Sequence, residues 1–246
     1  MAAAFALSLM ASGLASAPAI RQPVGRIKGL DRRKLDTGTD ASFYSAPRLV
    51  THTDDAFITK LADVYRNHLP EHGRVLDLMS SHISHLPPDR LSLQVDGHGM
   101  NADELAANPA LSSWTVHDLN LHPALPFATT ECYDAVLCCA GVQYLEEPER
   151  VFAECARALR PGGVMIVSFT DRFFFPKAIQ GWIDRGMRTR ARLVKDYMRA
   201  AGGFHNIQVL GEGTSLLSQL GSLSGLGDDP FVAVIGWRES QTSDSE

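Results

Sequence analysis

Residues able to bind a ligand or move a proton cluster in five short stretches: "DLMSS" at 77–81, "VDGHGMN" at 95–101, "VHDLN" at 116–120, "CCAGVQYL" at 138–145 and "SFTDRFFF" at 168–175. Asp77 can hold a cationic group through a charge-assisted hydrogen bond, or simply fix the turn that follows it. Ser80 and Ser81 can hold an anion with hydroxyl and N–H groups at a helix start, or act as a plain cap. Gly97 and Gly99 permit close backbone approach, to a ligand or within a turn. Asp118, with Leu119 beside it, is on its type and place alone a surface-loop acid. Gln143 and Tyr144 follow an apolar run. Tyr144 and His85 are the candidates for acid–base or positioning roles, with His98 and His117 near the same rim. The four cysteines lack metal-ligand spacing, so no metal site is expected and buried thiols are the simpler reading.

These stretches share a context, since each follows an apolar run. Periodicity predicts strands near 73–78, 91–97, 113–118, 133–140, 163–169, 205–210 and 231–237. Helices are expected at 54–69, with Asp54 as N-cap and Pro70 as stop, and at 101–108, 147–159 and 176–200. Strands separated by helices imply a mostly parallel, doubly wound sheet, in which ligands bind beyond the strand carboxyl ends. The last two strands are joined by "GEGTSLLSQLGSLSGLGDDP", which suits an antiparallel pair, with a short helix expected near Leu216–Leu220.

The run from "RVLDL" through "HDLNLHPALPFATTECYDAVLCCAGVQYLEEPERVFAECARALRPGGVMIVSF" resembles class I S-adenosylmethionine-dependent methyltransferases of the type-eleven group. The stretches "FYSAPRLVTHTDDAFI" and "GHGMNADELAANP" further resemble a cyanobacterial and plastid subgroup of methyltransferase-like proteins. The resemblance covers about residues 40–238. It implies a seven-stranded Rossmann-like fold with an antiparallel C-terminal strand, S-adenosyl-L-methionine as cofactor, and a small or lipid-like methyl acceptor. On this reading Asp77, Ser80, Ser81, Gly97, Gly99, Asp118, Leu119 and Gln143 contact the cofactor. Tyr44, Arg48 and His52 lie in a segment that closes over substrate, with Phe173–Phe175 as a lid.

Two departures stand out. The family carries glycines where Met79, Ser81 and Ile83 stand. A non-glycine residue forced into the left-handed region costs about 1–2 kcal/mol, so the turn is expected to take another path. The family also ends its second strand in an acid for the ribose hydroxyls, where this chain has Gly99; Asp96 or Asn101 would have to substitute. A catalytically silent methyltransferase-fold binding protein is therefore the alternative. An oxidoreductase is disfavoured, because no G-x-G-x-x-G follows the first strand.

Charge and termini complete the expectations. Six basic residues and two acids lie in residues 1–36, leaving 17 basic against 26 acidic residues beyond them. That balance argues against a body that binds nucleic acid by neutralising phosphates. No apolar run reaches the roughly 18 residues of a membrane span. The Ala- and Ser-rich opening that turns basic at Arg21 reads as an organelle address, plastid first, with mitochondrion and secretion as alternatives. The expected division is a leader over 1–36, a domain over 37–238 and a polar tail over 239–246. The basic run Arg185, Arg188, Arg190, Arg192 and Lys195 reads as a solvated helix face.

Overall fold

In the computed structural model, residues 20–90, 92–211 and 229–240 are described. Strands β1 (Gly73–Leu78), β2 (Leu93–Gly99), β3 (Ser113–Val116), β4 (Tyr133–Cys139), β5 (Leu159–Phe169), β6 (Phe204–Leu210) and β7 (Val232–Arg238) form one sheet in the order β3-β2-β1-β4-β5-β7-β6. The first five pair in parallel, and β7 lies antiparallel between β5 and β6. The order reverses between β1 and β4, where loops leave in opposite directions and a crevice opens. This is the Rossmann-like methyltransferase fold.

Alternation along the strands builds two cores. Val75, Ala135 and Leu137 face one side, packing with Phe57, Leu61, Val64 and Tyr65 of α2 (Asp55–His68). Leu76, Leu78, Val136 and Cys138 face the other, beneath α4 (Pro148–Ala158) and α6 (Met187–Ala201). Period-2 strands between period-3.6 helices leave no other way to bury both faces. Asp54 caps α2 through its carboxylate, as expected, and α3 (Ala102–Ala107) is capped by Asn101.

Three expectations change. The helix expected at 176–200 is two, α5 (Gln180–Ile183) and α6, separated at Asp184–Gly186. Arg190 is not on a solvated face: it is buried, donates to the Trp182 carbonyl, and lies over the Phe173 and Trp182 rings. The boundary at residue 36 falls inside a packed arm. Within residues 20–36, Arg32 forms a two-point pair with buried Glu149, the Ile27 N–H donates to Glu149, and the Arg21 N–H donates to Glu154. Two buried carboxylates on α4 need these donors, and local composition does not reveal that need. The expected helix near Leu216–Leu220, residues 1–19 of the expected leader and 241–246 of the tail lie outside the described residues.

Among the described residues no helix is long and apolar enough to cross a membrane.

Candidate functional site

The turn after β1 runs at the crevice, and its geometry answers how a glycine-free turn fits there. Met79 does adopt a left-handed conformation, φ 58°, contrary to the expected detour. Three contacts hold it. The Met79 N–H donates to His98 Nδ1 at 3.1 Å, and the Ser80 N–H donates to the His98 carbonyl at 2.7 Å. His98 Nε2 then reaches the His117 carbonyl at 2.9 Å, tying β2 to the residue following β3. Accepting through Nδ1 fixes the neutral Nε2–H tautomer. Burial pushes His98 down to about 4, consistent with a pin that never charges near neutrality. His98 is thus a structural residue rather than an acid–base one.

The glycines that make this possible lie on neighbouring strand ends. A Cβ on Gly99 would sit 2.6 Å from the Ser80 carbonyl, so its bareness lets the turn cross β2. A Cβ on Gly141 would lie 2.8 Å from the Met79 Cβ, so bulk on one turn is matched by a void on the other. Gly97 does not face a ligand site: its missing side chain makes room for Leu111.

Above these turns lies a cavity of about 400 Å³. It is lined by Asp77, Ser80, Ser81, His85, Gly99, Asp118, Leu119, Gln143 and Tyr144, whereas Gly97, Asp96 and Phe175 do not line it. Asp77 is 3% exposed and accepts the Ser80 hydroxyl at 2.6 Å, with the Ser84 hydroxyl as a second partner. Burial outweighs both bonds and raises the carboxyl to about 6. No basic group contributes to that balance. Gln143, also buried, donates to the Ala140 carbonyl, while its Oε1 has no partner. A buried carboxylate with no ion-pair partner among the described residues, and an unpaired amide oxygen on the wall of the same cavity, each favour a cation.

Asp118 begins a turn in which its Oδ1 accepts from the Asn120 and Leu121 N–H groups. Ser81 donates to Glu104 at 2.6 Å. Neither proposed ribose substitute is free. Asp96 faces away from the cavity and pairs with Arg74 and Ser113. Asn101 spends its oxygen on the α3 N-terminus and its amide on the Tyr44 and Ser45 carbonyls. Glu104, buried and lining the cavity, is the carboxylate that the sequence reading missed; its place three residues after the Asn101 cap was the available signal.

Of the two acid–base candidates, Tyr144 is a wall. Its hydroxyl accepts from the Phe174 N–H at 2.9 Å and its ring stacks on Phe174 at 6.0 Å. Burial raises its pKa. His85 has an unpartnered Nδ1 and is pushed down to about 4 by burial, with His82 and His52 adding to the effect.

A lid covers the crevice. It comprises α1 (Asp40–Phe43) and the segment to Thr53, including Tyr44, Arg48 and His52. Fully buried Lys177 bolts it down, donating to the Gly38 carbonyl at 2.7 Å and pairing with Asp36 and Asp40. Asp40 also binds Lys34 and the Asn120 amide, so the lid, the arm and the loops after β3 and β5 meet at one carboxylate.

Residues 95–167, from β2 through β5, match a family model described as a methyltransferase domain. No curated protein matches the chain. Among solved structures, the CurJ carbon methyltransferase is 14% identical, with 81% of this chain and 57% of that one covered and a TM-score of 0.52. A complex of the Haloferax volcanii Trm112 methyltransferase activator with a methyltransferase gives 14% identity, 75% and 90% coverage, and 0.52. The [4+2]-cyclase SpnF gives 16%, 74% and 81%, and 0.50. This chain spans about half (52%) of the Haemonchus contortus phosphoethanolamine N-methyltransferase 2 chain. At these identities the likeness is one of fold.

Proposed function

We propose that the protein binds S-adenosyl-L-methionine in the crevice between the β1 and β4 turns and transfers its methyl group to a small or lipid-like acceptor. The observation that carries this reading is Asp77: a buried carboxylate, raised to about 6, with no cation beside it and an unpaired Gln143 oxygen lining the same cavity. That donor set fits a doubly cationic ligand. The cofactor's ammonium group meets the Asp77 and Gln143 end, and Asp118 with the Leu119 N–H meets the adenine. Glu104 is the carboxylate left for the ribose hydroxyls. When bound, the cofactor supplies a methyl group on a positively charged sulfur.

The chain's own part is alignment and exclusion of water. Transfer by in-line displacement needs reactants held in register, and placement alone can supply about 7–11 kcal/mol. The lid, the Tyr144–Phe174 wall and the Lys177 bolt provide a partly enclosed, aromatic-walled chamber for it. His85, held down to about 4 by burial, is too weak a base to take a proton near pH 7 and stands as a neutral polar group on the cavity wall.

Calorimetric titration of the full chain with S-adenosylmethionine and S-adenosylhomocysteine tests the reading. Binding of both is expected, weakened tenfold or more by Asp118→Ala. Absence of heat and of a thermal shift with either compound sinks it.

A further inference from the structure

We propose that the methyl acceptor is an amphiphile: an anionic head held by Arg48, and an apolar body that leaves the cavity over Leu49, Val50 and Ile83. This inference rests on the cofactor reading above. Three observations point to it.

The first is room. A cavity of about 400 Å³ lies near the small end of the range of about 300–1,000 Å³ that holds one drug-sized ligand. A cofactor of that size leaves space for the reacting end of an acceptor, not for a second molecule of similar bulk. The rest of the acceptor must lie at the mouth.

The second is charge. The Arg48 guanidinium lies 4.5 Å from the Phe43 ring centroid and 5.3 Å from that of Phe174, and Nη2 donates to the Phe43 carbonyl. Its Nη1 is buried with no acceptor. Glu104 takes the Arg48 backbone N–H and the Ser81 hydroxyl, and among the described residues its carboxylate forms no ion pair with the guanidinium. A desolvated guanidinium N–H without a partner is costly, and a carboxylate or similar anion satisfies it. The cavity thus carries two opposite demands, a cation at Asp77 and an anion at Arg48.

The third is the mouth. Leu49 is 58% exposed, Val50 56% and Ile83 38%, and the last two line the cavity. Large apolar side chains grouped at an opening mark a surface that an apolar ligand covers.

The test uses the full-length protein with and without saturating S-adenosylhomocysteine. Four probes are titrated below their micellar concentrations: dodecanoate, dodecyltrimethylammonium, dodecanol and butanoate. Dodecanoate is expected to bind at least tenfold more tightly than each of the others. Arg48→Met should reduce dodecanoate to the level of dodecanol, Arg48→Lys should retain part of the preference, and neither should change S-adenosylhomocysteine affinity by more than about threefold. Val50→Ser with Leu49→Ser should bring dodecanoate towards butanoate. Indifference to head charge overturns the proposal. So does a loss of S-adenosylhomocysteine binding in Arg48→Met as large as the loss of dodecanoate, which would give Arg48 to the cofactor's carboxylate. Because the probes are also read without cofactor, failure of the wild type to bind S-adenosylhomocysteine counts against the cofactor reading separately.

Discussion

Replacing Asp77 by Asn should stabilise the free protein at alkaline pH while weakening its affinity for the cofactor. The carboxyl sits at about 6 in the fold against a reference of 3.8. Two units of displacement correspond to about 3 kcal/mol. The sign follows from proton binding: the fold holds the Asp77 proton more tightly than the unfolded chain does. The favourable contribution is therefore complete below about pH 4 and is lost as pH rises through about 6. Above pH 6 the wild type carries the full penalty of a buried, unpaired charge, and Asn carries none. Asn also offers an oxygen to the Ser80 and Ser84 hydroxyls, although its new N–H groups bring a pH-independent cost. The difference in stability between variant and wild type should thus widen by about 2 kcal/mol between pH 4.5 and pH 8, whatever its offset. Urea denaturation at both pH values measures this. A cation beside Asp77 draws its pKa back down, so wild-type affinity for S-adenosylhomocysteine should fall below pH 6. Asp77→Asn should lose about 1.5–3 kcal/mol of binding, a factor of roughly 10 to 150. A stability difference that is flat with pH, or unchanged affinity in the variant, would refute the reasoning.

Three further outcomes are expected. His98→Phe leaves the Met79 N–H and the His117 carbonyl without partners and should cost about 2–5 kcal/mol at pH 7. Because His98 is depressed to about 4, its contribution is lost as pH falls from 6.5, so the deficit should narrow by about 2–3 kcal/mol at pH 4.5 in denaturation curves. Lys177→Met strips the buried cation from Asp36 and Asp40 and should destabilise by about 3–5 kcal/mol in denaturation curves, with weaker S-adenosylhomocysteine binding by calorimetry as the lid loosens. Removal through residue 36 strands buried Glu149 and should lower the melting temperature by several degrees in calorimetry.

Much of the architecture is dictated locally. Period-2 runs such as "RVLDL" and "YDAVLCC", separated by helical runs, admit one class of sheet, because each strand must bury both faces. Candidate site residues then fall at strand carboxyl ends by topology, which is why Asp77, Ser80, Ser81, Gly99, Asp118, Leu119 and Gln143, named from the sequence, line one cavity. What these groups do there was not legible. Gly97 and Gly99 are two residues apart and look equivalent, yet one makes room for Leu111 and the other for the Ser80 carbonyl, contacts set by different neighbouring segments. Met79 could take a left-handed conformation because His98, 19 residues away, satisfies its N–H, and because Gly141 leaves space beside it. Lys177 carries no local signature, and the roles of Glu104 and Arg48 depend on partners that local spacing does not reveal. The sequence by itself determined the sheet, its order of elements and the rim on which chemistry can occur. Only the tertiary structure decided which rim residues are pins, which are walls, and which buried charges remain without a partner, because desolvation and pairing depend on neighbours that chain order does not specify.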